Sequence, residues 1–299
     1  MSVIALTGGT GFVGSRLIDL ALADGHQVRA LTRRAQPPRE GLAWVRGALD
    51  TPDALASLAT GADAVLHVAG VVNAPDKAGF VAGNVEGTRA VLAAANGRRF
   101  VHVSSLAARE SELSTYGWSK AEAEKLVTAS AAQWDIVRPP GVYGPGDTEM
   151  LDMFRLAKRG IALLPPAGRI SLIHVDDLVR LLLALALSPA QRLVVEADDG
   201  TTGGWTHAEI FGDAMGRAVG RRVKAVSLPR PLLSLAARAD RLLRGRDAKL
   251  TADRVRYLCH PDWVISPARR PSPALWRPQI ATPDGLAQTA QWYRAAGLL

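Results

Sequence analysis

A tyrosine and a lysine four residues apart are the clearest candidates for proton-transfer chemistry in the chain. They are Tyr116 and Lys120 of the stretch YGWSK, and the run VHVSS comes shortly before them. Residues four apart on a helix share one face, and a serine at a strand end would point into the same crevice. An ammonium group beside a phenol favours the phenolate, so this spacing favours a tyrosine with a lowered pKa.

A glycine-rich turn near the start of the chain is typical of dinucleotide binding. In TGGTGFVG, Gly9, Gly11 and Gly14 fit the spacing G-x-G-x-x-G, whereas Gly8, Gly11 and Gly14 fit G-x-x-G-x-x-G. In both registers the glycines lie between a predicted strand and a predicted helix. There the backbone can turn sharply and approach a pyrophosphate at the helix N-terminus. The turn alone leaves the register open.

Two arginines bear on which dinucleotide would bind. An NAD-binding protein normally has Asp or Glu at the end of the second strand, where it accepts a hydrogen bond from the ribose 2′-hydroxyl. This chain has Arg33 and Arg34 there. Because a guanidinium cannot accept that bond but pairs well with a phosphate, the sequence favours NADP(H), with NAD(H) as the second choice. The alternative is that both arginines lie on a solvated loop.

The elements that would position these residues alternate between strands and helices over the first two thirds of the chain. Apolar runs predict strands at VIALTG, HQVRALT, AWVRG, DAVLHVAG, RFVHVSS and WDIVRPPG, and apolar residues at three- and four-residue spacing predict helices between them. This alternation predicts an α/β fold with a Rossmann-type, doubly wound parallel sheet. One further strand over 167–175 and one further helix over 176–188 are also expected.

The pattern changes near Gly144 and becomes irregular, basic and proline-rich toward the end. We therefore predict a dinucleotide-binding domain over 1–145 together with about 168–196. A smaller, partly interleaved substrate-binding domain is predicted over 146–167 and 197–299. Open α/β sheets bind ligands at the carboxyl ends of their strands, so the second domain is expected to close over that edge.

Together the motifs resemble the extended, epimerase/dehydratase-like branch of the short-chain dehydrogenases/reductases. The resemblance covers almost the whole chain and includes TGGTGFVG, HVAG, NVEGT, HVSS, YGWSK, RPPGVYGPGD, IHVDDL and the ending GLAQTAQWYRAAGLL. That branch uses the wider glycine spacing, so the resemblance assigns the cofactor role to Gly8, Gly11 and Gly14.

The resemblance implies a role for each matching residue. Tyr116 would be the general acid/base, Lys120 would bond the nicotinamide ribose and lower the tyrosine pKa, and Ser105 would orient the reacting oxygen. Ser104 is the alternative serine, because the interval from Ser105 to Tyr116 is shorter than extended members usually show. Asn84 is expected only to shape its helix. The cofactor contacts implied are Gly8, Thr10, Gly11, Phe12, Val13, Gly14, Arg33, Arg34, Leu49, Asp50, Ala69, Gly70, Tyr116, Lys120, Pro139 and Val142.

These roles favour an NADP(H)-dependent oxidoreductase that interconverts a carbonyl and an alcohol on a small, apolar substrate. Hydride transfer to a carbonyl leaves alkoxide character on the oxygen, so a proton donor must be ready. One alternative is a nucleotide-sugar epimerase or dehydratase with a retained NAD(P). Another is a non-catalytic NADP-binding regulator, a class that often lacks the tyrosine or the lysine that this chain has.

The composition predicts a globular cytoplasmic protein without disulfides. Hydrophobic residues make up 48% of the chain, and Cys259 is the single cysteine, so no internal disulfide can form. No basic region precedes an apolar run at the N-terminus, and the longest apolar run, 178–187, contains Arg180. We therefore expect no secretion signal and no stable membrane insertion. A monomer or a homodimer is expected.

The net charge of +8 raises the question of a nucleic-acid partner. The cations are mostly arginines spread along the chain, and no basic block with interleaved aromatic residues occurs, so we expect no nucleic-acid binding. The six histidines show no metal-ligand spacing, so no metal site is expected either. A small-molecule substrate is the expected partner.

The stretch PRPLLSLAARADRLLRG, residues 229–245, places Leu and Ala on one helical face and Arg on another. A basic amphipathic helix of this kind can lie on an anionic membrane. The favoured interpretation is that its apolar face covers the substrate pocket, with Leu232, Leu233, Leu235 and Leu242 facing a cleft beside Tyr116. Related branches that act on lipophilic substrates have a similar helix, so the resemblance implies an apolar substrate.

Overall fold

The computed structural model describes residues 1–245 and 250–299 of the chain. Its strands are β1 (Val3–Thr7), β2 (Gln27–Thr32), β3 (Leu42–Arg46), β4 (Ala64–His67), β5 (Arg99–Val103), β6 (Gln133–Val137), β7 (Gly141–Tyr143), β8 (Ile161–Leu164), β9 (Arg169–Ile170), β10 (Leu172–His174), β11 (Val194–Val195), β12 (Trp205–Thr206), β13 (Lys224–Ser227) and β14 (Asp262–Trp263). Its α-helices are α1 (Phe12–Ala23), α2 (Pro52–Ala59), α3 (Lys77–Phe80), α4 (Gly87–Ala95), α5 (Thr115–Thr128), α6 (Leu151–Lys158), α7 (Val175–Ala186), α8 (Met215–Val219), α9 (Arg230–Arg244), α10 (Ala252–Leu258) and α11 (Thr282–Ala295).

Contacts within the chain divide it into two compact units. Unit 1 contains Met1–Pro139, Leu178–Glu196 and Arg269–Arg277, and unit 2 contains Pro140–Asp177, Ala197–Ala268 and Pro278–Leu299. The predicted domain limits are drawn from a change in sequence composition, whereas these units are defined by contacts. Which segments bind the cofactor and which bind the substrate stays a prediction.

A parallel sheet forms the middle of unit 1. In the described part of the chain its strand order is β11-β6-β5-β4-β1-β2-β3, and every neighbouring pair is parallel. The six strands predicted from apolar runs are present as β1 to β6. The strand order changes direction beside β1 and β4, and a ligand crevice opens at the carboxyl ends of strands at such a point. The predicted Rossmann-type α/β fold is confirmed.

The interior of unit 1 contains apolar side chains and one buried ion pair. The apolar cluster includes Leu55, Phe100 and Trp134. The buried guanidinium of Arg99 pairs with the Asp135 carboxylate on the neighbouring strand, and it also donates to the backbone carbonyls that end α7. Because Arg99 bonds both the neighbouring strand and these carbonyls, it fixes the end of α7 to the sheet. Removing one partner of such a buried pair typically costs about 3–5 kcal/mol.

Unit 2 combines short strands with helices, and its apolar core includes the aromatic side chains Tyr143, Phe154 and Tyr293. The rings of Phe154 and Tyr293 meet edge to face, with 5.1 Å between their centroids. The single strand predicted over 167–175 is wrong, because the run breaks at Ser171 into β9 and β10. Strand β9 pairs with β12 and β14, whereas β10 pairs with β7. The Ser171 hydroxyl donates to Asp198 at the point where the chain changes partners.

Two further features of the described residues concern membranes and metal ions. Within residues 1–245 and 250–299, no helix has the length and apolar character needed to cross a bilayer. The same residues contain no group of three or more His, Cys, Asp or Glu side chains arranged to hold a metal ion.

Candidate active site

Two glycines of the turn after β1 are required by backbone packing. Gly8 has a φ of 78°, and a Cβ there would lie 2.7 Å from the backbone nitrogen of Ala69. A Cβ on Gly14 would overlap the carbonyl oxygen of Gly8, which accepts the Gly11 N–H at 3.0 Å. Larger residues at either position would force the turn away from the β4 end or from helix α1.

Gly11 differs because the surrounding protein leaves room for a side chain. A Cβ there would lie 3.4 Å from the nearest described atom, an ordinary van der Waals distance. Gly11 is exposed and is the N-cap of α1, whose N-terminus has neither a capping side chain nor an acidic residue in its first turn. The amides at Phe12 and Val13 are therefore available to an anion, and this arrangement fits a dinucleotide pyrophosphate.

The ends of β2 and β3 bring the other predicted cofactor contacts to the same edge of the sheet. Thr32 ends β2, and its hydroxyl donates to the Arg34 carbonyl at 2.8 Å. Arg33 and Arg34 are exposed, and neither side chain has a hydrogen bond or ion pair to another described residue. Leu49 and Asp50 follow β3, which pairs with β2. These side chains can be reached by a ligand that lies on α1.

A buried histidine connects β1, β4 and α4 beneath the turn. Thr88 donates its hydroxyl proton to the Asn84 carbonyl, so His67 Nε2 donates to Thr88, and His67 Nδ1 accepts from Thr7. The Thr7 hydroxyl also accepts the Ala69 N–H at 3.2 Å. Burial, with a smaller effect of the Lys120 charge, lowers the pKa of His67 to about 3, so the ring is neutral. The network fixes Ala69 against Gly8.

The structure distinguishes the two serines that follow β5. Ser104 is buried, and its hydroxyl donates to the Glu124 carboxylate at 2.5 Å. Ser105 is half-buried, its oxygen accepts the Ala107 N–H at 3.2 Å, and its hydroxyl lies near enough to the Tyr116 phenol to act on the pKa of that group. Ser105, and not Ser104, therefore lies beside the phenol.

Tyr116 and Lys120 lie on helix α5, as their spacing predicts. The Lys120 ammonium is buried and donates to the Val103 carbonyl at 2.8 Å. Burial lowers its pKa to about 8, while the nearby Glu124 charge acts in the opposite direction. A Cβ on Gly70 would lie 3.4 Å from the Lys120 Nζ, so the loop after β4 runs directly beside the ammonium.

The lowered tyrosine pKa expected from the sequence is not found in the chain without cofactor. Burial raises the pKa of Tyr116, and the hydrogen bond from Ser105 offsets only part of this effect. Phe80 contributes to the apolar surroundings, with 6.3 Å between its ring centroid and that of Tyr116. The phenol therefore keeps its proton at neutral pH, as a general acid must.

Asn84 has a larger part in the site than the sequence analysis assigns to it. Its side-chain oxygen accepts the Val71 N–H at 2.7 Å, and its amide donates to the Val71 carbonyl and to the Ser119 hydroxyl, both at 2.9 Å. Asn84 thus connects the loop after Gly70 to the helix of Tyr116. The motif NVEGT marks Asn84 in the sequence, but it does not show that the side chain bonds Val71 and Ser119.

Glu124 and Arg138 are site-supporting residues that the sequence analysis missed. The Arg138 guanidinium donates to both Glu124 carboxylate oxygens, at 2.8 and 2.6 Å, and lies 3.5 Å from the buried Glu196 carboxylate. These ionic hydrogen bonds raise the pKa of Arg138. The next residue, Pro139, accepts the Leu106 N–H at 2.9 Å. The ends of β5, β6 and β11 are thereby joined to α5.

Val142 is the one predicted cofactor contact that lies in unit 2. It belongs to β7 and pairs with Ile173 of β10. All other predicted site residues, including Pro139, lie in unit 1. The carboxyl ends of β1 to β6 supply them from the Gly8 turn to the α5 helix.

Comparison with known proteins establishes the family. The model of the NAD dependent epimerase/dehydratase family matches residues 4–195. A ceramide reductase from Caulobacter vibrioides (strain NA1000 / CB15N) is 39% identical, and the alignment covers 99% of this chain and 96% of that protein. The chain belongs to the NAD dependent epimerase/dehydratase family and is an NAD(P)-dependent enzyme of the oxidoreductase type. The resemblance found in the sequence is confirmed.

Two further similarities extend over nearly the full length. A 2-alkyl-3-oxoalkanoate reductase from Stenotrophomonas maltophilia (strain K279a) is 28% identical, with 95% of this chain and 97% of that protein covered. The solved structure of MoeE5 in complex with UDP-glucose and NAD has a TM-score of 0.73 at 22% identity, with 99% of both chains covered. The structural similarity shows a shared fold.

Replacing Gly11 by Ala should weaken cofactor binding with little effect on stability. The added methyl group has room in the protein, and it would obstruct a pyrophosphate if the predicted contact at Gly11 is made. We expect the Kd for NADPH to rise about tenfold or more, and the free energy of unfolding in urea to change by no more than about 1 kcal/mol. Gly14→Ala is the matched control and should lose about 2 kcal/mol or more, because its methyl group overlaps backbone. Equal effects on stability would contradict this division.

Replacing Glu124 by Gln should lower the pKa of Lys120 below its value of about 8. The carboxylate favours the ammonium, so its loss leaves the effect of burial without opposition. The measurement is a pH titration of the Lys120 side chain by NMR in protein containing labelled lysine. Glu122→Gln, on the exposed side of the same helix, should leave that pKa unchanged. A Lys120 pKa that is the same in both variants would refute the assigned coupling.

Proposed function

We propose that this enzyme reduces a ketone on an apolar, alkyl-bearing substrate with NADPH, and that Tyr116 donates the proton. The observation that carries the proposal is the buried Lys120 ammonium one helical turn from Tyr116, whose pKa is raised by burial and which has Ser105 beside it. The two full-length relatives named as reductases support the direction of the reaction. One of them is named for a 2-alkyl-3-oxoalkanoate, a carboxylate with a ketone at position 3 and an alkyl substituent at position 2.

The proton follows a short route in this proposal. Bound NADPH supplies the hydride to the carbonyl carbon. Tyr116 gives its phenolic proton to the carbonyl oxygen as negative charge develops there, and the product is the alcohol. Ser105 orients that oxygen through a hydrogen bond. The Lys120 ammonium favours the phenolate that remains, and a solvent proton then restores the phenol.

Arg33 and Arg34 support the choice of NADPH over NADH. Both guanidinium groups are exposed at the end of β2, and neither is used by another described residue. A 2′-phosphate would pair with them, whereas the 2′-hydroxyl of NADH would find no acceptor on these side chains. Gly11 and the open N-terminus of α1 would hold the pyrophosphate.

Tyr116→Phe should abolish most ketone reduction and leave cofactor binding nearly unchanged. Only the hydroxyl group that carries the proton is removed, and such groups typically contribute about 10² to 10⁴ in rate. The measurement is NADPH oxidation followed by absorbance, with NADPH binding followed by calorimetry. Tyr257→Phe is the control, because Tyr257 lies in unit 2 and stacks on Trp263. More than a tenth of wild-type activity in Tyr116→Phe would reject Tyr116 as the donor.

Arg33→Ala should weaken NADPH binding selectively. Loss of a charged hydrogen bond to phosphate costs about 1.5–3 kcal/mol, so we expect the Kd for NADPH to rise about tenfold or more. The Kd for NADH should stay nearly constant. Calorimetric titration with both cofactors makes the comparison, and Arg89→Ala on exposed α4 is the control. The 2′-phosphate assignment fails if wild-type protein binds NADH as tightly as NADPH.

A further inference from the structure

The positive charge of the chain is concentrated in one segment of unit 2. Residues 221–256 contain eleven Lys and Arg and three Asp, so this segment alone has the net charge of +8 that the whole chain has. Lys and Arg are enriched here rather than evenly spread, whereas acidic residues are about as frequent as in the rest of the chain. The remaining residues are therefore electrically balanced.

Helix α9 exposes its leucines rather than burying them. Leu232, Leu235, Leu242 and Leu243 are 53%, 62%, 87% and 86% exposed. At 3.6 residues per turn they group with Ala239 on one face. This exposure does not fit the expectation that Leu232, Leu233, Leu235 and Leu242 form the covered wall of a cleft beside Tyr116, because three of the four are more than half exposed.

A different side of α9 holds it in unit 2. Ala237 is buried, Leu233 and Asp240 are half-buried, and the Asp240 carboxylate accepts the Leu250 N–H at 2.8 Å. The helix also packs against α10. The side that attaches α9 thus carries Ala237, the half-buried Leu233 and a carboxylate, while the side with four leucines is exposed.

A two-stranded ribbon carries further exposed apolar residues. In the pairing of β8 with β13, Leu163 lies opposite Val226, and Ile161 lies opposite Lys224. All three apolar residues are exposed, and β13 leads through Pro229 into α9. We call the four exposed leucines of α9 and the arginines of the same helix the basic leucine surface.

We propose that the basic leucine surface docks the enzyme on an anionic lipid bilayer. A helix with leucines on one face and arginines on another binds in the interface plane, where the leucines enter the acyl boundary and the cations meet lipid phosphates. Arg230, Arg238 and Arg241 are exposed, and their long side chains can reach the headgroups while the leucines lie deeper; Arg244 is also exposed but pairs with Asp240 at 3.2 Å.

The net positive charge of the basic leucine surface disfavours binding of a second copy of the chain there. In a two-fold symmetric dimer the same patch meets itself, so two surfaces of net positive charge would face each other. That repulsion opposes association, whereas an anionic bilayer attracts the same charges. Docking would place this enzyme where an alkyl-bearing substrate is dissolved, but it does not depend on that substrate.

Flotation of the full-length protein with lipid vesicles tests the docking. We expect binding to vesicles of equal parts phosphatidylcholine and phosphatidylglycerol, and little binding to phosphatidylcholine alone. Leu242→Gln with Leu243→Gln should lower the partition coefficient about tenfold or more, because apolar burial is lost. Arg238→Gln with Arg241→Gln should lower it by about tenfold or more as well.

Matched variants and a fluorescent reporter keep the test decisive. Leu187→Gln with Leu193→Gln, two exposed leucines of unit 1, should bind vesicles like the wild type. Leu243→Trp should show a blue shift and quenching by brominated lipid when anionic vesicles are added. The proposal is overturned if wild-type protein does not float or if Leu242→Gln with Leu243→Gln leaves the partition coefficient unchanged. It is also overturned if this double variant changes the oligomeric state instead.

Discussion

The buried ammonium group of Lys120 is the constraint on which the candidate site depends. A charge taken out of water is costly unless it is paired, and this one is held by the Val103 carbonyl and faced by Glu124 on the next helical turn. Glu124 is itself buried, so Arg138 and Ser104 satisfy its carboxylate. The requirement to stabilise one cation therefore joins the ends of several strands to the helix that carries Tyr116.

Backbone packing explains two of the three glycines in the turn after β1. Gly8 and Gly14 are small because backbone atoms of the protein lie against them, whereas Gly11 is small although the protein leaves it free space. The neutral His67 holds the Ala69 amide in place beneath the turn. An uncharged ring there fixes the cofactor edge without adding a second positive charge beside Lys120.

Local pattern predicted most of the fold. Apolar runs gave the strands β1 to β6, and the four-residue spacing placed Tyr116 and Lys120 on one helix. The features that the sequence analysis predicted wrongly or missed depend on residues distant in the sequence. The change of sheets at Ser171 is set by Asp198 and by the strands on either side, and Asn84 and Arg138 act through residues far along the chain. A resemblance gave the catalytic candidates, and the different surroundings of Ser104 and Ser105 depend on Glu124 and Tyr116, more than ten residues further along the chain.

The proposed substrate is an apolar ketone and not a nucleotide sugar. The most direct test is the kcat/KM for NADPH oxidation over a homologous series of 2-alkyl-3-oxoalkanoates of increasing alkyl length, with binding of UDP-glucose measured in parallel. Each added CH₂ that is buried contributes about 0.8 kcal/mol, so kcat/KM should rise about fourfold per CH₂ until the pocket is filled. Saturable micromolar binding of UDP-glucose without any ketone reduction would contradict the account and favour the epimerase alternative.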